Sequence, residues 1–161
     1  MANWKPEGYH TLTPYLTVRD VEKAISFYKE AFGAEEKSRM AGPGDVGIIH
    51  AELKIGDSIF MLGQSSEASQ REEHHEGHHE GEHEGHISCM LNIYVEDVDS
   101  AFEKAKAAGA KEKMSVENMF WGDRYGMVAD PFGHVWSLST HVEDLTDEQI
   151  RERAEEFFAK I

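Results

Sequence analysis

The amino-acid sequence predicts an α+β fold of two tandem βαβββ modules followed by a C-terminal helix. Three observations predict it. A strand, a helix and a hairpin follow one another twice along the 161 residues. The copies keep a near-constant offset of 77, pairing Val18 with Val95, Asp20 with Asp97, Val21 with Val98, Ala24 with Ala101 and Gly56 with Gly133. The helix-ending glycines, Gly33 and Gly109, also match, one residue out of step. An internal repeat of this kind means one supersecondary unit used twice.

The elements follow in order. "TPYLTV" is apolar and β-branched and reads as a strand. "RDVEKAISFYKEAFGA" reads as a helix with Asp20 at the N-cap. Val21, Ala24, Ile25, Tyr28 and Phe32 recur at helical spacing, and Gly33 stands where a left-handed glycine ends a helix. "VGIIHAELKIGDSIFMLG" reads as two strands around a turn near Gly56. "MLNIYV" is again a strand, and "EDVDSAFEKAKAAGA" a helix ending at Gly109. "WGDRYGMVADPFGHVWSLST" is strand, turn, strand, with "DPFG" as the turn. These signals place the first module at 9–66, a linker loop at 67–87, the second module at 88–142 and the last helix at 146–161. In that helix Thr146 and Gln149 form a capping-box pattern. Ile150, Ala154, Phe157, Phe158 and Ile161 make one apolar stripe, to be covered by the chain's own domain or by a partner subunit.

Composition narrows the function classes. A chain of this length buries a core without disulfides or metal staples. The single cysteine, Cys89, excludes an intrachain disulfide and fits a reducing compartment. The start "MANWKPEGYH" has neither a basic n-region nor an apolar h-region, and no apolar run approaches membrane-spanning length. The expectation is a cytoplasmic protein without a membrane partner. The formal net charge is −15, concentrated in Glu67–His86 and Glu143–Ile161. No basic stripe exists, so nucleic acid is not an expected partner.

Two tandem βαβββ modules, with "YLTVRDVEKAISFYKEAFGA" in the first and "FWGDRYGMVADPFGHVWSLSTHVEDL" in the second, resemble the vicinal oxygen chelate superfamily. That group holds glyoxalase I, extradiol dioxygenases, fosfomycin-resistance enzymes and bleomycin-resistance proteins. The resemblance runs from about Tyr9 to Leu145, most closely to small glyoxalase/bleomycin-resistance-like bacterial proteins. It implies that the two modules form a cup-shaped sheet around one cavity, and that a homodimer is the expected assembly.

The resemblance also implies where a metal would sit. In metal-using members one ligand lies in the first strand of each module, five residues before the strand-ending aliphatic. Another lies in the last strand, four residues after the turn glycine. Carried over, these positions are Thr13, Met90, Phe60 and Ser137. None is a credible ligand, because zinc, nickel and iron(II) take imidazole, thiolate or carboxylate. No metal or other cofactor is therefore expected in the cup, and the Lewis acid of a glyoxalase or dioxygenase is expected to be missing.

Strand alternation puts Tyr15 on the face of Thr13, and Asn92 and Tyr94 on the face of Met90. If the Gly56 hairpin has a three-residue loop, His50 lies opposite Phe60 and Glu52 follows on the same face. Trp121, at the start of the penultimate strand, adds a wall. Tyr15, His50, Glu52, Phe60, Met90, Asn92, Tyr94 and Trp121 thus describe an aromatic pocket with a few polar groups, suited to planar or cationic ligands. The alternative is that these aromatics fill a closed core. His50 and Glu52 are also candidates for an acid–base pair, against a hydrogen-bonded histidine on a half-buried strand. His134 and His141 receive no role, and Cys89 reads as a small half-buried residue.

Six of the ten histidines fall between His74 and His86, spaced only by Glu and Gly. On a helix His75, His79 and His83 would share a face, but Gly77, Gly81 and Gly85 oppose that helix by about 1 kcal/mol each. Imidazoles at this density bind nickel, zinc or copper(II) with modest affinity. Three functions stay open. The first is a metal-free cup that binds or sequesters a small aromatic or cationic compound. The second is a lyase or isomerase of the glyoxalase type with a non-standard site, and the third a metal-binding accessory acting through the histidine run. If the run is only a linker, deleting Glu72–His86 is expected to leave fold and small-molecule binding unchanged; metal in untagged wild type alone, read by mass spectrometry, would place it on the histidines, and metal in neither form would leave a binding cup. Equal metal in both forms, near one per chain, would put a metal in the cup.

Overall fold

The computed structural model describes residues 4–65 and 89–159. The histidine run lies outside the described residues. The chain divides into two compact units, Met1–His86 and Ile87–Ile161.

In the first unit β1 is Tyr15–Val18, α1 Val21–Phe32, β2 Glu35–Ala41, β3 Ile48–Ile55 and β4 Ser58–Gln64. The sheet order is β1-β4-β3-β2, with β1 parallel to β4 and the other pairs antiparallel. α1 starts where Asp20 accepts a hydrogen bond from the Lys23 amide and stops at Gly33, φ 66°. Val21, Ala24, Ile25 and Tyr28 bury one stripe of α1 among Leu16, Val18, Leu53, Phe60 and Leu62 of the sheet. Each of the larger aliphatic side chains contributes about 2 kcal/mol of burial, and Ala24 about 0.8 kcal/mol.

The second unit repeats the plan. β5 is Met90–Tyr94, α2 Val98–Ala107, β6 Lys111–Asn118, β7 Asp123–Ala129 and β8 Val135–His141, in the order β5-β8-β7-β6. Asp97 caps α2 by accepting from the Ser100 amide. The β7–β8 loop is tied locally by one carboxylate. Asp130 accepts from the amides of Phe132 and His134 and from the Trp136 indole, each at 2.9 Å. β2 and β6, "EEKSRMA" and "KEKMSVEN", have no alternating apolar pattern. Both are edge strands, where charged side chains block further pairing.

α3, Asp147–Phe158, has the predicted capping box between Thr146 and Gln149. Its stripe meets the same unit at Phe120, 5.5 Å from the Phe157 ring and 5.8 Å from that of Phe158. Arg153 reaches Glu143 at 2.8 Å. The arm before α3 is anchored by the Gly122 carbonyl, which accepts from the Val142 and Glu143 amides, both at 3.0 Å.

Gly122 has φ 98°, and a Cβ there would meet the Glu143 carbonyl oxygen at 2.4 Å. Gly44 has φ 61° and open space around the missing Cβ. Gly44→Ala is therefore expected to cost about 1–2 kcal/mol, the left-handed penalty alone. Gly122→Ala adds a backbone collision and is expected to cost about 3 kcal/mol or more. Urea unfolding of the two variants checks the difference, and equal midpoints would contradict it.

Candidate functional site

The polar side chains of the first unit collect on the sheet face turned away from α1. Register decides which residues these are. Tyr15 pairs with Met61, Glu52 with Met61 and His50 with Gly63, so these five positions share the helix-free face. The segment before β1 lies over the same face, where Thr13, Tyr9 and Trp4 join Glu52 and Met61 around a cavity of about 260 Å³.

Glu52 is the centre of this group. Ser38 donates to its Oε2 at 2.9 Å, and the Tyr9 hydroxyl donates to the same carboxylate. His50 Nε2 stands 4.0 Å from Oε1. The Tyr9 hydrogen bond, with smaller help from Ser38 and the nearby imidazole, holds the Glu52 carboxyl below the usual carboxylate range. The opposite effect falls on Tyr9, whose phenol is pushed up to about 12 by burial and by the carboxylate it serves. Glu52 is thus an ionised carboxylate whose charge is stabilised by donors.

Tyr15 lies across Gly63. Its hydroxyl is 3.3 Å from His50 Nδ1 and the two rings are 5.7 Å apart. A Cβ on Gly63 would fall 2.5 Å from the Tyr15 hydroxyl, so only glycine permits this ring position.

Phe60 does not belong to this face. The β3–β4 turn holds two residues, Gly56 and Asp57, because Ile55 pairs with Ser58. Phe60 therefore pairs with Leu53 and points at α1, its ring 5.5 Å edge-on from Tyr28. The three-residue loop and the Phe60 wall are corrected together: one residue fewer in the turn moves every β4 side chain to the opposite face. Met61 takes the place expected of Phe60.

In the second unit Met90, Asn92 and Tyr94 share the helix-free face with Ser137 and Ser139, as their pairings require. Ser137 and Ser139 donate to Asn92 Oδ1 at 2.7 and 2.8 Å. The Tyr125 hydroxyl approaches Met90 Sδ at 3.8 Å. Trp121 is not in a strand. It sits in the turn before β7, edge-on to Phe120 at 4.9 Å and to Tyr125 at 5.5 Å. Neither spacing nor alternation marks Tyr9 and Ser38, which hold Glu52, nor His141. His141 Nδ1 is 2.7 Å from Asp123 Oδ1. A five-residue β7–β8 loop would have signalled that pair, since it sets Asp123 opposite His141.

The expected metal-ligand positions offer a poor donor set. Thr13 gives its hydroxyl to the His10 carbonyl and Ser137 gives its own to Asn92, while Met90, and Met61 in place of Phe60, supply thioethers. These groups do not fit a divalent cation. Among the described residues no cluster of three His, Cys, Asp or Glu side chains is arranged to hold one.

A βαβββ unit used twice, each with its polar residues on the helix-free face, defines a paired-module protein of the vicinal oxygen chelate type. The chain belongs to the Glyoxalase/Bleomycin resistance protein/Dioxygenase superfamily, whose model matches residues 9–138. It is 38% identical over 140 residues to "Uncharacterized protein Mb0911c" of Mycobacterium bovis, covering 87% of this chain and 89% of the relative. Among solved structures it is similar to TioX from Micromonospora sp. ML1, with TM-score 0.60 and 25% identity over 85% of this chain and all of the other. A gene product from Arabidopsis thaliana matches at TM-score 0.58 and 27% identity, covering 81% and 98%. The fosfomycin resistance protein FosX from Listeria monocytogenes, complexed with Mn(II) and sulfate, shares the fold at TM-score 0.59 and 18% identity, covering 90% and 97%. Among the described residues no helix is long and apolar enough to cross a membrane.

Phe60 and Met61 separate core from site. Phe60→Ala is expected to destabilise the protein by about 3–5 kcal/mol, as loss of a buried ring does. Met61→Ala is expected to cost less and to change ligand binding instead. Denaturant midpoints of the two variants distinguish these roles.

Proposed function

We propose that the protein binds or sequesters a small aromatic or cationic compound on the helix-free face of its first unit, without a metal. The observation that carries this reading is the ionised Glu52 carboxylate beside a cavity of about 260 Å³ lined also by Trp4, Tyr9 and Met61. Aromatic faces and a carboxylate both attract a cation, and the carboxylate stays charged because neighbouring donors stabilise it. Thr13 and Met61 supply shape and a polarizable surface. FosX from Listeria monocytogenes, which shares the fold, is a fosfomycin resistance protein, and this is in keeping with small-molecule recognition as the class of activity. The homodimer and cytoplasmic setting expected from sequence belong to the same proposal.

A second reading is a metal-free lyase or isomerase of the glyoxalase type. What favours it is the placing of His50 between Tyr15 and Glu52, at 3.3 and 4.0 Å. In that reading His50 is the group that takes the substrate proton. Glu52, held below its usual range, is too weak a base for the task and instead favours by its charge the imidazolium that forms. The third reading, metal handling by the histidine run, rests on residues outside those described.

Ethidium, planar and cationic, is a direct probe. Its fluorescence anisotropy is expected to rise saturably with protein. Glu52→Gln is expected to weaken binding by about ten-fold, the scale of one partly desolvated charge pair. Binding is expected to persist above the usual carboxylate range and to fall only as pH drops through the lowered Glu52 value. Equal binding of the anionic dye anilinonaphthalene sulfonate, or no effect of Glu52→Gln, would overturn the cationic preference.

A further inference from the structure

A second group of titratable side chains stands on the helix-free face of the other unit, and the proposed function makes no use of it. Asp123 opens β7 and is buried, 5% exposed. Both of its carboxylate oxygens are engaged: Oδ2 accepts from the Tyr94 hydroxyl at 3.0 Å, and Oδ1 lies 2.7 Å from His141 Nδ1. The antiparallel register sets Asp123 directly opposite His141 at the end of β8. Tyr94, at the end of β5, shares the face through its pairing with Ser139. His141 is half-exposed and directs its other nitrogen, Nε2, outward.

One group meets that nitrogen. Asp144 Oδ1 is 3.0 Å from Nε2, and the Asp144 side chain is fully exposed. The two carboxylates on His141 therefore differ in kind. Asp123 is buried, shared with a phenol and fixed by the strand register. Asp144 hangs from the arm before α3 and is held by an exposed pair, which is worth little in water. The Asp144 contact is a chemical precedent: Nε2 already donates to a carboxylate oxygen at hydrogen-bond distance, and that oxygen belongs to a fully exposed side chain.

We propose that His141, oriented by Asp123 and Tyr94, is an oxyanion-binding site that takes a carboxylate or phosphoryl oxygen of a small ligand at Nε2, in exchange for Asp144. Asp123 has two functions here. It fixes the ring with Nδ1 inward, and its negative charge is matched by the imidazolium so that the incoming anion meets a donor and not a bare carboxylate. The Tyr94 hydroxyl satisfies the remaining Asp123 oxygen. Hydrogen bonds from His141 to Asp123 and to Asp144 both favour the charged imidazole, the form that carries a donor on Nε2. The groups facing His141 are Tyr94 from β5, Asp123 from β7 and Asp144 from the arm. Glu143, next to Asp144, is engaged by Arg153.

Acetate and inorganic phosphate are the probes, and the side-chain nitrogen resonances of His141 are the readout, at about pH 6 where imidazole is charged. Wild type is expected to show a saturable shift of Nε2 with both anions. Asp144→Asn removes the internal competitor and is expected to tighten binding by about two- to five-fold, the worth of one exposed ion pair. This variant changes a fully exposed side chain and leaves the fold intact, as its amide spectrum will report. His141→Asn is expected to abolish the response of neighbouring amides at Tyr94 and Asp123. Acetate acting alone would assign a carboxylate ligand, phosphate alone a phosphorylated one. An unchanged affinity in Asp144→Asn, or the same amide shifts in His141→Asn, would overturn the proposal. Neither outcome depends on ethidium binding in the first unit.

Discussion

The length of the last hairpin turn in each unit governs what its helix-free face presents. A strand alternates its side chains, so one residue more or less in the turn exchanges the two faces completely. In the first unit the turn is Gly56–Asp57, and β4 shows Met61 and Gly63 to the site while Phe60 and Leu62 face α1. In the second the turn runs over 130–134, and β8 shows Ser137 and Ser139 while Trp136 and Leu138 join the core. The parallel pairing of β1 with β4 and of β5 with β8 then passes that choice to the first strand of each unit. Tyr15 and Asn92 stand where they do because of loops far away in sequence.

The repeat therefore keeps its cores alike and lets its other faces differ. Leu16 and Ile93 correspond, as do Phe60 and Trp136, Leu62 and Leu138. On the helix-free side the matched pairs are Tyr15 with Asn92, Met61 with Ser137 and Gly63 with Ser139. Each unit has built a different polar centre on the same scaffold. The first holds a carboxylate ionised by surrounding donors, with its charge available. The second buries a carboxylate and cancels its charge with imidazole, so that the available group is a donor. One scaffold thereby carries two electrostatic characters.

Most of the fold was legible because helices announce themselves locally. Asp20 and Asp97 cap, Thr146 and Gln149 close a box, and Gly33 ends α1 in the left-handed region. The hairpins were legible from their turn residues, and the faces of Tyr15, Asn92 and Tyr94 from alternation. β2 and β6 had no clear signal, since both are rich in charged residues. The Phe60 error has an identifiable source. Counting from Gly56 with the offset of 77 aligned Phe60 with Ser137, whereas the one-residue step visible between Gly33 and Gly109 persists into the hairpin. With that step Phe60 meets Trp136, aromatic against aromatic, and the correct face follows. The His141 group was hidden for another reason: it joins residues from three strands and an arm, and only register brings them together.

Asp130 has a consequence for how the chain comes to be folded. Three of its hydrogen bonds fall within 130–136, so the β7–β8 turn is held by contacts that close over a handful of residues. Such contacts form with little loss of loop entropy. The parallel pairs are the reverse case, since Tyr15 must find Met61 and Met90 must find Val135 across an intervening helix and hairpin. Loop-closure entropy favours local turns over distant pairings, so the hairpins are expected to precede the parallel strands in assembly. In that order the loop fixes the register of β7 and β8 before β5 arrives to be paired.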